Sequence, residues 1–320
     1  MQALAKRHGL LGILVDGVEK LPSYLRPPLT TWLQWIGEVM QGYEQRYEKY
    51  REAVSGLVSF YNGHGYQTMI LKGLSCGINW PKPEHRPYGD IDIYQFGRYK
   101  DSDATLAREL GIKIDNSHHH HTVFEWEGFT VENHYDFINV HHHKSHVELE
   151  NVFKVFGLDC NYCIEVCDNK VIIPSPNLHA LFLVRHAMNH FVSIGISLRQ
   201  ILDYAFFVEK NNKKIDWVLL EELLDRFGMT SFFNIINSIC VDNLGFDVKI
   251  FPRIQPDLNL KEMFLTDIIS LELPNSQPRH IWNIYRRWKS NEWKRKLCYN
   301  ESNSLAFWWG IKKHLLKPKV

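Results

Sequence analysis

The sequence predicts an α+β protein: a unit of short strands in the middle of the chain, with helices before and after it. Three observations predict this. Apolar residues recur at three- and four-residue steps from Trp32 to Tyr61. Strand-like runs separated by turn residues lie between Thr68 and Phe137. After about residue 175 the helical steps return. At 320 residues the chain accommodates one or two domains, and 45% hydrophobic with 23% charged residues excludes general disorder. It has no run of about 18 apolar residues, so no transmembrane helix is expected. Lys6 and Arg7 precede a short apolar stretch that Asp16 ends without a small-residue cleavage site, so no secretory signal is expected. Six cysteines in a chain this long predict reduced thiols and a cytoplasmic setting.

The elements follow in order. Pro27-Pro28 closes an N-terminal segment, and Thr30 or Thr31 is placed to cap a long helix. That helix carries Trp32, Trp35, Ile36, Val39, Tyr43, Tyr47, Tyr50, Val54, Leu57, Val58 and Tyr61, and Asn62-Gly63-His64-Gly65 stops it. A strand is predicted over Thr68–Leu71. A loop with prolines at 81, 83 and 87 leads through Gly89 to a second strand, Asp90–Tyr94. Asp101–Leu110 reads as a helix. Thr122–Trp126 and Phe129–Phe137 read as strands about a turn at Glu127-Gly128. Ser175-Pro176 starts helical territory, with packed helices over Leu178–Phe191 and Leu198–Val208. The expected divisions are an N-terminal helical segment over 1–62, a catalytic core over 63–150, a helical domain over 151–235 and a basic, Trp-rich region over 236–320.

Near-neutral net charge conceals an uneven distribution. From Arg279 onward there are eleven Lys/Arg against Glu292 and Glu301, which leaves 26 basic against 34 acidic residues in the body. Five of the ten tryptophans lie in the same tail. Trp282, Tyr285, Trp288 and Trp293 interleave with Arg286, Arg287, Lys289, Lys294, Arg295 and Lys296. The pattern predicts either an anionic partner, such as a membrane surface reached peripherally, or a C-terminal helical pair with a solvated charged face. A nucleic-acid enzyme is disfavoured, because the acids lie in the acidic body.

The chemistry centres on Gly89-Asp90-Ile91-Asp92-Ile93. Alternation along a strand projects Asp90 and Asp92 from one face, roughly 7 Å apart, as carboxylate ligands for a hard divalent cation. Glu132 and His134 share a face of a later strand. Pairing of that strand beside Asp90–Tyr94 would complete a three-carboxylate cluster able to hold Mg²⁺ on a triphosphate. Upstream, Lys72-Gly73 stands where a strand turns into a short helix, a place where backbone N–H groups and an ammonium can meet phosphate.

The series Leu71-Lys72-Gly73, Arg86-Pro87-Tyr88-Gly89-Asp90-Ile91-Asp92-Ile93 and Val131-Glu132-Asn133-His134 resembles the uncharacterised nucleotidyltransferase family of the DNA polymerase β-like superfamily. The pair His186/His190 and the step Arg199…Asp203 continue the resemblance, which runs from about residue 55 to 210. It implies a small mixed-sheet nucleotidyltransferase core with an N-terminal helix and a C-terminal helical domain. It further implies Mg²⁺-dependent transfer of a nucleoside monophosphate from a nucleoside triphosphate to a hydroxyl acceptor, whether a small molecule, a sugar or a protein. Asp90 and Asp92 would bridge metal and triphosphate, and Glu132 would serve the acceptor side. Lys72, Gly73, Ser75 and Arg86 would contact phosphate. Arg199 would either contact phosphate or pair with Asp203. The alternative is a catalytically inactive nucleotide-binding or scaffold protein of the same fold. One departure is Gly73-Leu74-Ser75, where the superfamily usually has Gly-Ser or Gly-Gly.

Three further groups carry weaker signals. The runs His118–His121 and His141–His143, with His146, are read as solvated loop, since consecutive histidines point in different directions. His186 and His190 are spaced either for metal or for packing on a helix face. Cys160, Cys163 and Cys167 lack the second pair that a zinc site needs.

Overall fold

The structure is a computed structural model that describes residues 1–140, 143–252, 254–270, 289, 291–299, 302, 304–305 and 308. It divides into two units, Met1–Tyr135 with Gly157–Ser175, and Asp136–Phe156 with Pro176 onward. These units cross the expected divisions at 62 and 150. The N-terminal helices belong with the sheet, and a strand pair falls inside the stretch expected to be helical.

The first unit begins with α1 (Gln2–His8) and α2 (Leu11–Glu19). The long helix is present but interrupted: α3 (Leu29–Val39), a π-helical stretch at Met40–Glu44, then α4 (Gln45–Gly63). It starts at Leu29 with Pro28 as its N-cap, so neither Thr30 nor Thr31 caps it. A π stretch rotates the apolar stripe between the two halves. Trp35 and Val39 therefore pack on Leu11, Val15 and Val18 of α2. Tyr50, Val54, Leu57 and Tyr61 instead cover the sheet.

The strands are β1 (Met69–Ile70), β2 (Ile91–Tyr94), β3 (His121–Trp126), β4 (Phe129–His134), β5 (Cys163–Val166) and β6 (Asn169–Ile172). A short α5 (Leu74–Gly77) follows β1, and α6 (Tyr99–Leu110) follows β2. The sheet order is β3-β4-β2-β1-β6-β5, with β2–β4 and β1–β6 parallel and the other pairs antiparallel. The mixed sheet of an α+β fold is thus present, and β5–β6 enlarges it. Ile91, Ile93 and Val131 face α4 and Leu106 of α6 in one core. On that same face Asp103 accepts hydrogen bonds from Thr122 Oγ1 (2.6 Å) and Asn133 Nδ2 (2.8 Å), which ties α6 to β3 and β4. The alternation then sends Asp92, Glu132 and His134 to the opposite face.

The second unit contains α7 (Ser145–Phe156), α8 (Pro176–Ser193), α9 (Leu198–Asn211), α10 (Trp217–Arg226), α11 (Thr230–Asp242), α12 (Leu258–Ile269) and α13 (Glu292–Tyr299). Ser197 and Gln200 form a reciprocal capping box that starts α9. In the described part of the tail α13 packs inward, with Leu297, Cys298 and Tyr299 buried, Trp293 against Phe191 and buried Lys294 paired with Asp267 at 2.7 Å, whereas Leu305 and Trp308 are exposed. Trp282, Tyr285 and Trp288 lie outside the described residues. No described helix is long and apolar enough to cross a membrane.

Candidate active site

Two backbone arrangements build the site. The Leu71 N–H donates to Asp92 O at 2.9 Å, so β1 delivers Lys72 beside β2. The parallel pairing of β2 with β4 sets Asp92 opposite Glu132 and Tyr94 opposite His134. The pairing that the acid cluster required is therefore present.

Asp92 is 4% exposed, and its carboxylate has charged company. Lys72 Nζ lies 2.7 Å from Oδ1, and His134 Nε2 lies 3.1 Å from the same oxygen. Burial alone would raise the Asp92 pKa, but Lys72 and His134 hold it well below the usual carboxylate range. His134 Nε2 is also 3.4 Å from Glu132 Oε2. Burial pulls His134 downward, yet its hydrogen bonds to the two acids keep its pKa above the ordinary value. Glu132 is partly open, and its pKa is lowered: burial and the Asp92 charge, which raise it, are outweighed by the His134 hydrogen bond together with the Lys72 and His121 charges. The result is an ionised carboxylate pair held by an ammonium and an imidazole. Asp92, Glu132 and His134 offer one donor atom each within 4.8 Å of one another.

The remaining expected residues divide. Asp90 is exposed, just before β2, and two residues from Asp92 in the strand alternation; it lies outside that close group. Its carbonyl accepts a hydrogen bond from the buried Tyr50 hydroxyl at 2.9 Å. Gly73 adopts a φ of 70°, and a Cβ there would sit 2.1 Å from Tyr50 Oη. Glycine is required both for the left-handed conformation and for this close approach. Ser75 differs from expectation: it is fully buried and donates to Leu71 O at 2.8 Å, so its hydroxyl closes the α5 turn instead of facing a ligand. Arg86 is also buried, its guanidinium 5.2 Å above the Tyr88 ring and bonded to Pro87 O. Arg199 belongs to the second unit, on α9.

The histidine runs correct in part their reading as solvated loop: His118 is exposed at a bend, but its neighbours turn inward. His121 is 7% exposed at the start of β3, paired in register with His134. His120 precedes it at a bend, half-buried, with its Nε2 3.1 Å from His121 Nδ1. His143 and His146 are buried in the second unit. His141 and His142 lie outside the described residues. The His186 and His190 rings meet along α8 with centroids 4.3 Å apart and planes tilted at 54°, and neither they nor the Cys160–Cys167 set belongs to a metal-competent group among the described residues. The sequence held a signal for His121: counting outward from the two-residue turn at Glu127-Gly128 pairs it with His134.

Comparison with known proteins gives the family of the chain. The uncharacterised nucleotidyltransferase family matches residues 1–245. The chain belongs to that family. A crystal structure of an antigenic nucleotidyltransferase-like protein from Paracoccidioides brasiliensis is similar at 11% identity and a TM-score of 0.36, covering 55% of this chain and 87% of that one. Among curated proteins none matches the chain.

Proposed function

We propose that the chain transfers a nucleoside monophosphate from a nucleoside triphosphate to a hydroxyl acceptor at the β1–β2–β4 site. The observation that carries this reading is the register of Asp92 against Glu132, with Lys72 beside them. Two carboxylates in one cleft repel and would take up protons unless cations hold them ionised. Here Asp92 is ionised although buried, which is what a cation site needs.

The donor set fits Mg²⁺: Asp92 and Glu132 supply carboxylate oxygens, and exposed Asp90 stands two residues upstream for the triphosphate side. When bound, Mg²⁺ would neutralise triphosphate charge and favour departure of pyrophosphate. Glu132 is the partly open acid, so it is placed to accept the proton of the acceptor hydroxyl. The acceptor oxygen then bonds to the α-phosphorus, the bond to the β-phosphate oxygen breaks, and pyrophosphate leaves. Lys72, itself 21% exposed, would shift part of its charge from Asp92 to phosphate once a cation shares the carboxylate. At Gly73 the space a Cβ would take is filled by the Tyr50 hydroxyl, so any phosphate contact there would come from the backbone N–H groups that follow it. The acceptor is a small molecule, a sugar or a protein hydroxyl. A protein acceptor would make the enzyme a modifier resembling toxin-neutralising members of the superfamily.

The test is incubation of the full chain with each α-labelled triphosphate, Mg²⁺ and a lysate of the host, followed by mass analysis of labelled products. Asp92→Asn should reduce labelling by on the order of 1,000-fold with the fold intact, since metal and charge stabilisation supply several kcal/mol. Glu132→Gln should lose rate while retaining most triphosphate affinity. Triphosphate binding without any labelled product would favour the inactive scaffold. Full labelling by Asp92→Asn would remove this site from the reaction.

A further inference from the structure

The acid pair has a nitrogen-rich neighbour. His120, His121 and His134 each offer a ring nitrogen, all within 4.8 Å of one another. Glu132 lies beside this set, next to two of its rings. His121 Nδ1 lies 3.1 Å from His120 Nε2 and 3.9 Å from Glu132 Oε2, and that oxygen lies 3.4 Å from His134 Nε2. A tetrahedral ion with bonds of about 2.0–2.1 Å to nitrogen and oxygen places its donors roughly 3.3 Å apart. The His120–His121 and Glu132–His134 separations lie around that value, while Glu132 is not in one close group with all three rings and would draw in on binding.

We propose that this chain holds a borderline divalent transition ion of the Zn²⁺ class between His120, His121 and His134, with the Glu132 carboxylate as fourth donor. Imidazole ligands favour Zn²⁺ and its neighbours, whereas Mg²⁺ selects oxygen. The site is also built in advance. The β3–β4 register fixes His121 against His134, and the Tyr135 N–H donates to His120 O at 3.1 Å, holding the bend beside the end of β4. Both His121 and His134 are buried, so their rings lose little freedom on ligation. Three rings converge because the chain bends before β3, which removes the divergence that consecutive strand residues would have.

The proposal does not rest on nucleotidyl transfer. It does have a consequence for transfer: an ion here and one held by Asp92 draw on the same Glu132 carboxylate.

The probe is the metal alone. The full-length protein is stripped with a chelator and titrated with Zn²⁺ against a chromophoric competitor, then with Co²⁺ while visible ligand-field bands are followed. The expected result is a single tight equivalent of Zn²⁺ that millimolar Mg²⁺ does not displace, and intense four-coordinate Co²⁺ bands. Loss of an outer partner of a metal ligand already costs about 10–100-fold in affinity. His121→Ala and His120→Ala should therefore each cost on the order of 100-fold or more. If His121→Ala fails to fold, His120→Ala at its half-buried bend carries the test, with the metal-free melting curve as control. Asp92→Asn should retain Zn²⁺ binding while losing transfer, which separates this proposal from the preceding one. Equal Zn²⁺ affinity in wild type and both histidine variants, ready displacement by Mg²⁺, or loss of Zn²⁺ binding on Asp92→Asn would each overturn it.

Discussion

Asp92 in the sheet unit and Glu150 in the helical unit are both acids buried beyond nine-tenths, and they take opposite charge states. Asp92 faces an ammonium at 2.7 Å and an imidazole at 3.1 Å and stays ionised. Glu150 on α7 accepts from the Phe137 and Ile138 N–H groups at 3.0 Å each, with Lys154 at 3.8 Å. Burial, aided by the nearby Asp136 charge, pushes its pKa up to about 8. Backbone donors suffice to place a buried acid, but a full cation in contact is needed to keep it charged. A third acid shows that the distinction belongs to the site and not to the unit. Asp103, on the core side of the same sheet, has only Thr122 and Asn133 as partners, and burial raises its pKa. One acid is kept charged; the other two hold elements in register.

The largest test of this contrast removes the cation. Lys72→Met leaves Asp92 buried beside His134 without the ammonium at 2.7 Å. It should destabilise the protein by about 3–5 kcal/mol in urea denaturation at neutral pH. An unchanged midpoint would mean that Lys72 does not hold the Asp92 charge.

A smaller effect separates the two acids by pH. Glu150 has an unfolded value near 4.5 and a folded value near 8, so between these limits the folded chain binds more protons than the unfolded one. Its contribution to stability is complete below the unfolded value and is lost as pH rises through that window. Asp92 has the opposite sign: its contribution is present above the usual carboxylate range and is lost as pH falls towards its depressed folded value. Melting curves of Glu150→Gln across the window should therefore be flatter than wild type, with the variant relatively most stable near pH 8. Parallel curves would place the Glu150 proton elsewhere.

The smallest expected effect is Asp103→Asn. The amide can still accept from Thr122 or Asn133, so the cost should be about 1 kcal/mol, with little change in triphosphate binding. A loss comparable with that of Lys72→Met would show that Asp103 carries charge after all, and would blur the contrast.

Much of this molecule is legible from short stretches of chain. Helical steps located α4, α8 and α9, and alternation about Glu127-Gly128 located β3 and β4, because periodicity and turn chemistry act within about ten residues. The acids at 90, 92 and 132 and the lysine at 72 were legible for the same reason: each stands in a local strand pattern. The partners were not. Parallel pairing of β2 with β4 closes a loop through α6 and β3, and no local signal sets its register. That pairing alone places Glu132 beside Asp92, and the crossing of β1 alone turns Lys72 towards the carboxylate. Burial is likewise a property of the assembled sheet: it enclosed Ser75 and Arg86, which the pattern had offered to phosphate, and drew in His121, which the pattern had left in solvent. Residue types are written locally, whereas charge states depend on which groups the fold brings within about 3 Å while excluding water.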